Sequence, residues 1–200
     1  MNQTFSRICV FCGSAAGSRP AYAEAGRELG RYFAEHGITL VYGGGRTGLM
    51  GVIADAVLAG DGQVIGVMPK SLVEKEVAHR GLTELRIVTS MHERKAIMAD
   101  LADAFLVLPG GYGTFDEFCE ILTWSQLLIH SKPCGLWNID GYWTHLIAMF
   151  DHAAAEGFLR PQHRALPVFA DTLPALLAEM ASQQPRLSVR NPLDKWWERT

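Results

Sequence analysis

The chain has 200 residues, 48% apolar and 20% charged, and its 18 Lys plus Arg against 21 Asp plus Glu leave a formal net charge of −3. That length suits one domain of the usual size (roughly 100–200 residues), and the slightly acidic balance excludes a basic nucleic-acid-binding domain. With no apolar run near the ~18 residues of a membrane span, no signal peptide pattern in the first 30 residues, and too few cysteines for a disulfide scaffold, the composition reads as a soluble, cytoplasmic globular protein.

Arg7-Ile8-Cys9-Val10-Phe11 reads as a buried strand ending in the tight turn Cys12-Gly13-Ser14. Pro20 opens an amphipathic helix that Gly37 closes, with Ala21, Ala25, Leu29, Tyr32 and Phe33 on one face. A second strand, Thr39 to Tyr42, runs into Gly43-Gly44-Gly45-Arg46-Thr47-Gly48. The helix Leu49 to Ala59 stops at Gly60, and a third strand, Val64 to Met68, stops at Pro69. The polar stretch 70–84 reads as a solvated connection or a lid.

Leu85 to Val88 is a fourth strand, followed by a helix from Met91 to Ala102 and a fifth strand from Ala104 to Leu108. Pro109-Gly110-Gly111-Tyr112-Gly113 is another glycine turn, and a helix follows from Thr114 to about Leu128. Strands at Cys134 to Trp137 and Leu166 to Phe169 flank a helix over Trp143 to Glu156. Strands without polar alternation, separated by helices, predict a parallel sheet covered on both faces. The expected fold is α/β: a Rossmann-like, doubly wound single domain over 1–187, with a C-terminal tail over 188–200 that carries Trp196 and Trp197.

In such a sheet, ligands bind at the carboxyl ends of the strands, near the switch in strand order. Gly13-Ser14, Gly43 to Gly48 and Gly110 to Thr114 all belong to that edge. Glycine lets a phosphate approach the backbone, and the helix that follows supplies free N–H donors. The three loops therefore predict an anion-binding edge suited to a nucleotide phosphate. Gly43-x-Gly45-x-x-Gly48 also fits a dinucleotide fingerprint, but the third strand ends in Pro69-Lys70 with no carboxylate to hold a ribose. A P-loop fails outright, because Leu49-Met50 follows Gly48.

Helical spacing puts Met91, Arg94, Lys95, Met98 and Ala102 on one stripe, so two cations interrupt an apolar face. Side chains that snorkel to water would explain them, but at a helix start beside the ligand edge anion binding is favoured. Thr114-Phe115-Asp116-Glu117 fits a capping box, which would account for Thr114 and Glu117 structurally. A carboxylate one turn from a bound phosphate could equally reach the attached ribose. There it would orient a water or stabilise charge at the anomeric carbon. Cys9 and Cys12 sit in or beside a core strand with no second pair to complete a zinc site, and the histidines lack ligand spacing. No metal site is predicted.

Pro109-Gly110-Gly111-Tyr112-Gly113-Thr114-Phe115-Asp116-Glu117 resembles the PGGxGTxxE signature of the Lonely Guy family, the cytokinin riboside 5′-monophosphate phosphoribohydrolases. Gly43 to Gly51 resembles the family's GGGxxGLMG element, Met91-His92-Glu93-Arg94-Lys95 its MHxRK element, and Phe11-Cys12-Gly13-Ser14 its first strand-end loop. Asp116 stands where the family has Glu. The resemblance implies hydrolysis of the N-glycosidic bond of a purine nucleoside 5′-monophosphate, with no cofactor, in a homodimer or higher homo-oligomer. It implies Arg94 and Glu117 as catalytic residues. As substrate contacts it implies Gly13, Ser14, Gly44, Gly45, Glu76, Met91, Lys95, Gly110, Gly111, Tyr112, Gly113, Thr114 and Thr123. The label lysine decarboxylase, often attached to the family, finds no lysine patterned for a Schiff base here. A carrier of a nucleotide-like ligand such as molybdenum cofactor is the alternative that the fold alone allows.

Overall fold

The computed structural model describes residues 5–73 and 78–188, with side chains as far as 183. Its strands are β1 (Arg7–Phe11), β2 (Thr39–Tyr42), β3 (Val64–Pro69), β4 (Glu84–Val88), β5 (Ala104–Val107), β6 (Cys134–Trp137) and β7 (Pro167–Ala170). They form one seven-stranded parallel sheet in the order β4-β3-β2-β1-β5-β6-β7. From β1 the chain winds outward to β4, then returns to the other side of β1 at β5. This reversal is the topological switch expected of a doubly wound fold.

The helices are α1 (Pro20–Glu35), α2 (Gly48–Ala59), α3 (Lys70–Val73), α4 (Met91–Leu101), α5 (Tyr112–Gln126), α6 (Thr144–Ala155), α7 (Pro161–Arg164) and α8 (Leu173–Ser188), with a 3₁₀ turn at Ile139–Gly141. Alternation along the strands splits the interior into two cores. Ile8, Val10, Leu40 and Leu106 point to one, under α1, α2 and α8. Cys9, Phe11, Val41, Phe105 and Val107 point to the other, under α4, α5 and α6. Leu29, Phe33 and Val57 are fully buried in the first core, and each such side chain contributes ~1.5–3 kcal/mol of burial.

The largest element not expected from the sequence is α8. Leu173, Leu176, Leu177 and Met180 recur at helical spacing and are buried against β6 and β7. Residues 189–200, with Trp196 and Trp197, lie outside the described residues. The stretch 70–84 is more than a solvated connection. It opens with α3, and Ala78 bridges back to Gly45 while the His79 N–H donates to the Gly44 carbonyl at 2.9 Å. Trp137 and Trp143 are core residues, 4% and 1% exposed. Cys9, Cys12 and Cys134 are free, buried thiols whose pKa values burial pushes up.

Candidate active site

The three glycine loops meet at the switch point and are bonded to one another. The Leu49 N–H donates to the Gly13 carbonyl at 3.1 Å, and the Gly13 N–H donates to the Pro109 carbonyl at 3.0 Å. Gly48 adopts φ +61°, and a Cβ there would fall 2.2 Å from the Ser14 carbonyl carbon. Only glycine fits that crossing. Beside it opens a cleft of about 220 Å³, lined by Gly13, Ser14, Tyr22, Leu49, Gly110 and Tyr142.

Helix α5 begins at Tyr112 with Gly111 as its N-cap, so Thr114 lies inside the first turn and no side chain caps the helix. The Thr114/Glu117 capping box therefore does not form. The glycines before Thr114 let the helix start two residues earlier, and the first-turn N–H groups of Tyr112, Gly113 and Thr114 have no acceptor within the helix. No described atom lies within 4 Å of where Gly111 or Gly113 would carry a Cβ. The fold itself does not require glycine at either position, whereas an anion approaching the backbone would. The capping box of the region is at α4, where the Ser90 hydroxyl accepts from the Glu93 N–H (3.1 Å) and the Glu93 carboxylate accepts from the Thr89 N–H (2.7 Å).

Released from capping, Glu117 turns to Arg94. Arg94 Nη1 lies 3.2 Å from Glu117 Oε1, and each side chain is only 12% exposed. The guanidinium also donates through Nε to the Val67 carbonyl at 3.1 Å, across the end of β3. Its other nitrogen sits against Gly43, where a Cβ would lie 2.0 Å from Nη2. Burial raises the Glu117 pKa above the ordinary carboxylate range, and attraction to Arg94 and Lys95 offsets only part of that. Raising its pKa makes this carboxylate a stronger base than a solvent-exposed one.

Lys95 faces the same region, with Nζ 2.7 Å from Asp116 Oδ2 and 3.1 Å from Glu120 Oε2. Burial alone would lower its pKa, but the hydrogen bonds that Lys95 donates to Asp116 and Glu120 raise it. Neither carboxylate is expected from the sequence as a partner of Lys95, although Glu120 stands three residues past Glu117 on the same helix. Met91 is exposed beside Arg94, with its sulfur 3.9 Å from Nη1. Gly44 and Gly45 are buried beneath residues 78–79. Thr123 stands apart, lining a different cavity with Cys119, Leu122 and Phe150. Glu76 lies outside the described residues.

A family model described as "Possible lysine decarboxylase" matches residues 50–180. The probable cytokinin riboside 5′-monophosphate phosphoribohydrolase LOGL1 of Oryza sativa subsp. japonica is 53% identical over 176 residues, which is 88% of this chain and 79% of that protein. The cytokinin riboside 5′-monophosphate phosphoribohydrolase LOG7 of Arabidopsis thaliana is 48% identical over 90% of this chain and 83% of its own. The chain belongs to the Lonely Guy family. Among solved structures, the Moco carrier protein of Chlamydomonas reinhardtii superposes with a TM-score of 0.67 at 20% identity, covering 90% of this chain and 98% of that one. That likeness is one of fold. The Lonely Guy motifs themselves map onto the site: GGGxxGLMG spans the loop into α2, MHxRK opens α4, and PGGxGTxxE opens α5.

Proposed function

We propose that the chain hydrolyses the N-glycosidic bond of a purine nucleoside 5′-monophosphate, the purine being adenine or an N6-prenylated adenine, and releases the free base and ribose 5-phosphate. The observation that carries this reading is the buried Arg94–Glu117 pair, 3.2 Å apart, one turn along α5 from uncapped N–H groups. The first turn of α5 and the Gly13-Ser14 loop receive the 5′-phosphate. Arg94, anchored by its hydrogen bond to the Val67 carbonyl, holds the Glu117 carboxylate toward the ribose. Glu117 then takes a proton from water as the water oxygen bonds to C1′. The electron pair of the C1′–N bond leaves with the purine, which takes a proton from solvent. Lys95, held by Asp116 and Glu120, adds positive potential at this edge.

The 5′-phosphate should dominate recognition, because the free N–H groups of the α5 first turn act on it alone. AMP or isopentenyl-AMP is expected to be cleaved at least 10²-fold more efficiently than the matching nucleoside, as remote binding contacts are expressed in the rate. Release of free base, followed by chromatography, checks this. Comparable kcat/KM for adenosine and AMP would remove the phosphate site from the loop.

The same reading includes a homodimer or larger homo-oligomer. Phe158, 89% exposed, lines an apolar cavity of about 250 Å³ with Leu122, Thr123, Phe150 and Leu159. An apolar surface of this kind suits a second copy of the chain. Light scattering is expected to give at least twice the 22.0 kDa of one chain, and Phe158→Glu to shift the particle toward monomer. A wild-type particle of one chain mass at micromolar concentration would refute it.

A further inference from the structure

Between β6 and α6 the chain reverses through two left-handed residues, Asp140 (φ 49°) and Gly141 (φ 72°). The reversal is firmly anchored. The Asn138 side chain accepts from the Trp143 N–H at 2.7 Å and donates to Asp171 Oδ1 at 3.1 Å, and the Trp143 ring is buried. Tyr142 projects from this base into the cleft at the switch point. Its ring stands edge-on to Trp143 (centroids 4.8 Å apart) and to Tyr22 (5.7 Å), so its direction is set by packing. Its hydroxyl donates to the Gly110 carbonyl.

That carbonyl belongs to the peptide between Gly110 and Gly111. With glycine on both sides, no Cβ of its own restrains this peptide; Thr114 and Gly13 pack closely against its Gly110 end. The Gly111 Cβ position has no described neighbour within 4 Å, so packing does not brace it there. All described peptides are trans, and in a planar trans peptide the N–H points opposite to the C=O. Holding the Gly110 oxygen therefore fixes the direction of the Gly111 N–H, immediately ahead of the first-turn donors of α5.

We propose that Tyr142 is a positioning residue for the phosphate loop: its hydroxyl selects the orientation of the Gly110–Gly111 peptide in which the Gly111 N–H joins the first turn of α5 in receiving the 5′-phosphate. The proposal rests on the reading of this cleft as the phosphate site. Tyr142 touches no reacting atom, and its effect is confined to the phosphate end of the substrate.

Tyr142→Phe removes the hydroxyl and keeps the ring in its packing. Titration calorimetry with ribose 5-phosphate is expected to show a Kd raised roughly three- to tenfold, the loss expected for one neutral hydrogen bond. The KM for AMP should rise by a similar factor, with kcat within about twofold of wild type and affinity for free adenine unchanged. A purely structural role would weaken both ligands together, and that result overturns the proposal. Wild-type affinity for ribose 5-phosphate in the variant also overturns it, while leaving the phosphate site intact. If the wild-type protein itself fails to bind ribose 5-phosphate, the phosphate site falls and the role of Tyr142 falls with it.

Discussion

Glu117→Gln is expected to lower turnover of AMP or isopentenyl-AMP by 10²-fold or more, the range for loss of a general base, in a protein that still melts cooperatively. Because α5 starts at Tyr112, Glu117 caps nothing and its replacement leaves the helix start untouched. A Gln oxygen can still accept from Arg94, but the guanidinium loses its countercharge. A stability loss of ~1–3 kcal/mol follows from that, or a melting shift of roughly 3–10 °C for a chain of this size. The pH profile adds a second readout. Glu117 must be ionised to accept a proton, so the rate should rise with pH through its pKa, which burial raises above the usual carboxylate value. That acid limb should disappear in Glu117→Gln. Near-normal hydrolysis by the variant would leave Glu117 as a partner for Arg94 and nothing more.

Gly43→Ala is expected to cost about 10²-fold in kcat/KM with little loss of secondary structure by circular dichroism. The added methyl carbon would stand 2.0 Å from Arg94 Nη2, so one of the two must move. The guanidinium is the far end of a flexible side chain and yields more easily than the backbone at the end of β2. The fold therefore survives. What is lost is the grip of Val67 and Glu117 on the guanidinium, at 3.1 and 3.2 Å, and a displacement of about 1 Å in a catalytic constellation costs rate on the order of 10²-fold. With Arg94 drawn away, the Glu117 pKa should rise further, moving the acid limb of the rate profile upward. Wild-type kcat/KM in Gly43→Ala would show that the position of Arg94 does not matter to the reaction.

Strand and helix order was legible because the sheet is buried on both faces. Ile8 to Phe11 and Ala104 to Leu108 are uninterrupted apolar runs that only a covered parallel sheet accommodates. The convergence of three loops on one edge followed from topology, since each lies at a strand's carboxyl end. The local start of α5 was not legible. Thr-x-x-Glu is a valid cap signature, and only the placement of Gly111 in the fold shows that the helix begins before it. The pairing of Lys95 with Asp116 and Glu120 was equally hidden, because it joins two helices that are distant in sequence. Tyr142 escaped for the same reason: its partner, Gly110, lies 32 residues away. Helix α8, by contrast, is legible in Leu173, Leu176, Leu177 and Met180, which recur at helical period.

The chain of bonds from Leu49 to Gly13 to Pro109 has a thermodynamic consequence. Loops that embrace a ligand commonly surrender conformational freedom as they close, and this penalty is subtracted from the affinity. Here the freedom is surrendered when the protein folds, since each strand-end loop is the hydrogen-bonding partner of the next. An incoming nucleotide meets walls already set and has little left to order. The same linkage makes the three loops one mechanical unit, so damage to any of them spreads to the others, and paired substitutions across them should depart from simple addition.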